Sequence, residues 1–168
     1  MNKKYLSALV SGFGASVLTT IPGVDSFACC LLIPVASGVA IALYKKSHPE
    51  LLKIETGTGI FIGFLTSIFA ATFASLFEII ITYLTNSSDL VVTMPQIEQA
   101  VRDMNFGPSV EESLEVLRQI VVDIQTTGFS FLYVVLITLT NLITYSIFGV
   151  LGGLVATAII NKRNFKSN

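Results

Sequence analysis

Tryptophan is absent from this 168-residue chain, histidine occurs once, cysteine twice, and charged residues make up only 12%. Each shortage excludes a class of protein. One histidine and the adjacent pair Cys29-Cys30 cannot build a zinc cage, a haem ligand set or a disulfide framework. Neighbouring helical residues point about 100° apart, so the two cysteines read as small packing residues rather than a bonded pair. Ten Lys/Arg against eleven Asp/Glu leave a net charge of −1, which provides no basic field and excludes a nucleic-acid partner. No phosphate-cradling glycine loop, nucleophile elbow or zinc-protease helix occurs, and Gly57-x-Gly59-x-x-x-Gly63 has the wrong spacing for a dinucleotide fingerprint. The chain therefore reads as a non-enzyme without catalytic residues, cofactor or metal site. His48, in Lys45-Lys46-Ser47-His48-Pro49-Glu50, reads as a solvated loop residue.

What is present is apolar. Hydrophobic residues make up 52%, mean hydropathy is +0.76, and the charged share is less than half of the ~25% usual in soluble domains. A bilayer is the natural solvent for such a chain. An ionised group is costly near the bilayer centre, and about 20 apolar residues of helix cross the hydrocarbon. Four charge-poor windows meet that length: Tyr5 to Val24, Ser26 to Tyr44, Thr56 to Phe77 and Ile124 to Asn161. Pro22-Gly23-Val24-Asp25-Ser26 predicts a tight turn between the first two, with Asp25 or Ser26 capping the second helix. Pro34 predicts a kink in that helix. The third window extends past Glu78 to about Leu84, where Tyr83 suits an interface. In the last window, residues 129–147 hold no glycine or proline for a turn, so one long helix is expected.

The expectation is an all-α fold, a single domain over 1–168 with transmembrane helices at about 5–22, 26–44, 57–84 and 129–160 and an outer helical segment at about 85–127. Eight of the ten basic residues, Lys3, Lys4, Lys45, Lys46, Lys53, Lys162, Arg163 and Lys166, fall on one side of that arrangement. The positive-inside tendency then places both termini in the cytoplasm of a bacterial inner membrane. The apolar start after Lys3-Lys4 also has the look of a secretory signal, but Ser26-Phe27-Ala28-Cys29 is a poor lipoprotein cleavage site, so the segment is read as a retained span.

The outer segment is acidic, with Asp89, Glu98, Asp103, Glu111, Glu112, Glu115 and Asp123 against Arg102 and Arg118. Thr93-Met94-Pro95-Gln96 predicts a helix start with proline in its first turn, followed by Ile97, Val101 and Met104 on one face. Asn105-Phe106-Gly107-Pro108 ends that helix. Ser109 and Glu112 form a second capping box, after which Val110, Leu114, Leu117, Val121 and Ile124 make one apolar stripe. That stripe needs a cover: the shorter helix, the membrane surface, a second copy or another polypeptide. It is carried as a candidate partner face.

Within the spans Glu78 is an ionisable residue, and such residues mark functional sites by default. Ser67, Ala71, Ser75, Glu78 and Thr82 recur at helical spacing, as do Thr138, Asn141 and Tyr145 on the last helix. Two facing polar stripes define a candidate intramembrane site of Glu78, Ser75, Asn141 and Tyr145. The competing reading is plain helix packing, for which Gly59-x-x-x-Gly63 and Gly149-x-x-x-Gly153 are the expected contact motifs.

The order of features, and in particular Ile54-Glu55-Thr56-Gly57-Thr58-Gly59-Ile60-Phe61-Ile62-Gly63 leading into the third span, the outer segment around Met94 to Gln119 and the ending Asn161-Lys162-Arg163, resembles a bacterial four-span membrane family of unknown function, the domain-of-unknown-function family numbered 4199. The resemblance implies topology and no activity. The function expected is that of a small scaffold or accessory subunit of a membrane assembly, with the lipid bilayer and either further copies or other membrane subunits as partners. The alternative is a small transporter or channel using the polar face around Glu78 and Asn141.

Overall fold

The computed structural model describes residues 3–21, 28–104 and 108–165, and among these the chain is all-α. Its helices are α1 (Lys3–Thr19), α2 (Ile33–Lys46), α3 (Thr56–Thr85), α4 (Asp89–Met104), α5 (Pro108–Thr127) and α6 (Phe131–Phe165), with a π-helical turn at Ala28–Leu32 leading into α2. Two helices, Thr56–Thr85 and the stretch Phe131–Lys162 of α6, are long and apolar enough to cross a membrane. At ~1.5 Å per residue their 30 and 32 residues reach about 45 and 48 Å, more than the ~30 Å of a hydrocarbon core. Within the last charge-poor window residues 131–161 thus form one helix and not a hairpin, its first residues belonging to the end of α5.

By packing, the chain divides into two compact units, residues 1–75 with 138–168, and residues 76–137. In the first unit α1 ends at Thr19, short of the expected residue 22. Its last amides bond three residues back, Thr20 N to Val17 O and Ile21 N to Leu18 O, each at 3.3 Å. The residue before a proline disfavours the helical region, which explains the early stop. The turn expected at Pro22 to Ser26, with its capping by Asp25 or Ser26, lies outside the described residues. Pro34 occupies the first turn of α2, directly after the π turn. A wide turn accommodates a residue that has no N–H and whose ring collides with the carbonyl four residues back.

Small residues bring the helices of this unit together. Ser7, Ala8, Ser11, Gly12, Ala15 and Ser16 are the buried residues of α1, and Ala15, Ala36, Ala70, Ala71 and Ala74 surround Ile33 and Tyr145 in one core. A second core, Ala40, Ile41, Tyr44, Ile54 and Ile62, closes the end near the loop 47–55. His48 lies in the loop after α2, as expected, but is half-buried rather than fully solvated. Its Nδ1 lies 3.1 Å from the Tyr44 carbonyl and 3.1 Å from Ser47 Oγ, and its ring lies tilted at 47° against that of Tyr44, centroids 4.5 Å apart.

The second unit contains the acidic hairpin of α4 and α5. Helix α4 starts one turn earlier than expected, at Asp89, and Pro95 lies inside it. Ser88 Oγ accepts from Val91 N at 3.4 Å, Asp89 suits the positive end of the helix dipole, and the earlier start brings Leu90 and Val91 onto the core of Ile120, Ile124 and Tyr133. Thr93, expected as a cap, instead bonds back to the Asp89 carbonyl at 2.7 Å. Met94 is the buried residue of α4, whereas Met104 is exposed. Gly128 ends α5 with a φ of +73°, its N–H closing on Ile124 O at 2.8 Å. A Cβ there would stand 2.6 Å from Asn86 Oδ1 and 2.8 Å from Tyr83 O, so glycine is required by both conformation and space.

Candidate functional site

The residues singled out in the sequence fall into three groups. The first is a glycine seam between α3 and α6. A Cβ on Gly63 would run into Gly149 O and would sit 2.9 Å from Gly153 Cα. One on Gly153 would meet Gly59 O at 2.5 Å, and one on Gly149 would meet Gly63 O at 2.8 Å. One on Gly59 would collide with the Thr157 hydroxyl. The four glycines therefore face one another, and backbone touches backbone. Two further glycines of this kind were not singled out in the sequence. A Cβ on Gly12 would stand 2.6 Å from Thr66 O, and one on Gly152 2.5 Å from Pro34 Cα. Their signal is the recurrence of small residues on one face of α1 and around Gly149.

The polar side chains of the same seam are consumed locally. Thr66 donates to Ile62 O, Ser67 to Phe64 O and Thr157 to Gly153 O, each at 2.7 Å. Asn141 Nδ2 donates to Ser75 Oγ at 3.1 Å, and Tyr145 belongs to the alanine-lined core. Ser75, Asn141 and Tyr145 thus tie helices together inside the first unit. Asn161, which the sequence reading passed over, is a stronger tie. Its Oδ1 accepts from Ile54 N at 3.0 Å and its Nδ2 donates to Ile54 O at 2.9 Å. Both polar groups of one backbone residue are satisfied by a side chain 107 positions away.

The second group is in the other unit. Glu78 Oε1 accepts from Tyr133 Oη at 2.6 Å, and Tyr133 is buried. Thr82, one turn beyond Glu78 on α3, is buried too. Tyr133 was not singled out as a partner of Glu78; its place in the third position of α6 is legible only once the helix start is known. The four-residue site of Glu78, Ser75, Asn141 and Tyr145 is accordingly revised to a Ser75–Asn141 pair in one unit and a Glu78–Tyr133 pair in the other.

The third group is the stripe of α5. Leu114 and Ile124 are buried, Leu117 packs on the Ile120–Ile124–Tyr133 core, and Val110 and Val121 are half-buried. Of the covers left open by the sequence, the structure shows the chain itself: Leu114, Leu117 and Ile124 pack inside the second unit. A short link between two amphipathic helices lets them fold back and cover each other. Ile120, missed in the stripe, is nearly fully buried. The side chain of Ser109, expected to cap α5, lies outside the described residues. On the outer side of the pair, Arg118 Nε donates to Glu98 Oε1 at 2.7 Å, Arg118 Nη1 to Glu115 Oε2 at 3.1 Å, and Arg102 Nη2 to Glu98 Oε2 at 3.2 Å. The hydrogen bond from Arg118 holds the Glu98 carboxyl below the usual glutamate value, and that from Glu98 raises Arg118.

Among the described residues no group of three or more His, Cys, Asp and Glu stands together as a metal site. No protein-family model, curated protein or solved structure matches the chain.

Proposed function

We propose that this chain is a non-enzymatic, multi-pass protein of a bacterial cytoplasmic membrane, a small scaffold or accessory subunit that assembles with further copies of itself or with other membrane subunits. The observation that carries the reading is the outer face of α6. Leu139, Ile143, Ile147, Leu151 and Leu154 are all exposed and recur every three or four residues, an apolar stripe that water would not tolerate and that lipid or a neighbouring helix covers. In the first unit Asn141 meanwhile donates to Ser75 between α6 and α3, and Thr66, Ser67 and Thr157 bond within their own helices.

In this reading α1, the π turn with α2, α3 and α6 are four spans. Both α1, with 17 residues, and the stretch 28–46 lie within the ~17–25 residues a span needs. Support for the orientation comes from the ends that meet in the first unit. Lys3 Nζ donates to Ser47 O at 2.7 Å, Lys4 Nζ lies 5.8 Å from the Tyr44 ring, and Asn161 holds Ile54. The start of α1, the end of α2, the start of α3 and the end of α6 therefore share one end, with Lys3, Lys4, Lys45, Lys46, Lys53 and Lys162 around it. A lysine-rich end of this kind stays in the cytoplasm. Kinship with the four-span family numbered 4199 belongs to the same proposal and rests on the patch Ile54 to Gly63.

The test is a native mass in mild detergent. An oligomer, or a stoichiometric complex with another membrane subunit, is the expected result; a lone monomer with no subunit attached contradicts it. The second reading, a small transporter or channel, draws on Glu78, an acidic residue within a helix long enough to span. Liposome flux that disappears in Glu78→Gln would favour it.

A further inference from the structure

We propose that the start of α1 and the end of α2 form a binding site for an anionic phospholipid, its phosphate held by Lys3, Lys4, Lys45 and Lys46. The inference rests on the membrane reading above. Two lysine pairs distant in the sequence meet there because α1 packs along α2. Lys3 Nζ donates to Ser47 O at 2.7 Å, directly after the last residue of α2, and Lys4 Nζ lies 5.8 Å from the centre of the Tyr44 ring. Both side chains thus reach the last turn of α2, the turn that carries Lys45 and Lys46. A carbonyl and an aromatic ring orient these ammonium groups without a counter-charge. The negative end of the α2 dipole offsets about half of one charge, and an ammonium with three N–H groups keeps two after bonding Ser47. Among the described residues no carboxylate stands within 4 Å of Lys3, Lys45 or Lys46.

What lies beside the lysines identifies the anion as a lipid. Next along α1 come Leu6 and Val10, and next along α2 come Leu43 and Val39, all four exposed. On both helices the basic end therefore continues into apolar surface within about two turns. A soluble phosphate would meet the lysines and gain nothing from that surface. A phospholipid sets its phosphate on the ammonium groups and its acyl chains on the leucines and valines, the same division that a lysine makes between apolar stem and charged tip. Each lysine at such an end strengthens attraction to an anionic headgroup about fivefold. Lys53 and Lys162 adjoin the Asn161 clamp on Ile54, so they belong to the junction with α6 and not to the α1–α2 pair.

Native mass spectrometry of the delipidated full-length protein in mild detergent tests the site, with phosphatidylglycerol, phosphatidylcholine of the same acyl chains and inorganic phosphate titrated separately. Wild type is expected to bind phosphatidylglycerol about tenfold or more tightly than either of the others. The double variants Lys3→Gln/Lys4→Gln and Lys45→Gln/Lys46→Gln each lose about tenfold or more of that affinity while phosphatidylcholine binding is unchanged, and Lys53→Gln/Lys162→Gln loses less than either. Arginine at Lys45 and Lys46 keeps the charge and the affinity. Melting without lipid identifies a variant that does not fold, and the comparison of the three ligands on wild type decides without any variant. Equal affinity for the two lipids, equally tight inorganic phosphate, or undiminished affinity in either folded lysine-pair variant overturns the site and leaves the membrane reading standing. Recovery of the protein in the supernatant after lysis without detergent overturns both.

Discussion

Gly63→Ala adds one methyl group at the point where α3 and α6 approach most closely. The new Cβ would overlap Gly149 O and stand 2.9 Å from Gly153 Cα and 3.1 Å from Gly153 N. Carbon atoms pack best at ~3.5–4.0 Å. Both obstructing groups are backbone, so no rotamer change relieves the overlap, and the helices must separate by about 1 Å. A gap of that size forfeits a quarter to a half of each dispersion contact along the seam, and forced overpacking costs roughly 1–3 kcal/mol. Replacing glycine by alanine inside a helix also gains up to ~1 kcal/mol of propensity, which partly masks the loss. Gly14→Ala removes that ambiguity. Gly14 is also inside a helix, α1, and a Cβ there meets nothing within 4 Å. The expected result, in reversible detergent unfolding of the two variants, is that Gly14→Ala equals or exceeds wild type and that Gly63→Ala lies below Gly14→Ala by about 1–3 kcal/mol. Equal stabilities would refute the close approach of the two backbones.

Three other outcomes follow from single contacts. Asn161→Leu leaves the Ile54 N–H and C=O without their partner, at a cost of about 1–3 kcal/mol for a buried polar group, and amide exchange at Ile54 should quicken while exchange in α4 is unchanged. Gly128→Ala forces a positive φ on a residue with a Cβ and pushes that Cβ into Asn86 and Tyr83, so the second unit should lose about 1–2 kcal/mol or more, read as a lowered unfolding midpoint. The Glu98 carboxyl is held below its ordinary value of 4.5 by Arg118, so its contribution to pairing α4 with α5 is present above about pH 4.5 and is lost as pH falls through the lowered value. Side-chain nuclear magnetic resonance should show the Glu98 midpoint moving up in Arg118→Gln; an unmoved midpoint contradicts the ion pair.

The sequence made α3 and α6 legible because nothing but spacing between charges was needed. A helix from Thr56 to Thr85 follows from an apolar run bounded by Glu55 and by Asn86-Ser87-Ser88-Asp89, whatever it packs against. The register of α4 was harder to read. Thr93 and Ser88 are both plausible caps, and the choice falls to Ser88 because Leu90 and Val91 gain burial on Ile120 and Ile124, a tertiary effect with no local signal. The same reasoning explains Pro34, whose consequence depends on the π turn ahead of it. The candidate site was legible residue by residue but not in its pairings. Glu78 stands out in any reading of α3, yet its bond to Tyr133 spans 55 positions, and the Asn161 clamp on Ile54 spans 107. Helical periodicity orders residues along one face; it does not say which position on another helix lies opposite.

The membrane placement is tested most directly by single cysteines introduced into a chain lacking Cys29 and Cys30 and probed in intact spheroplasts with a thiol reagent that cannot cross the bilayer. A cysteine at Glu50, between α2 and α3, should react only after the membrane is opened, and one at Glu111, on the exposed side of α5, should react at once. Labelling of both positions in sealed cells, or recovery of the protein in the supernatant after lysis without detergent, would contradict the account.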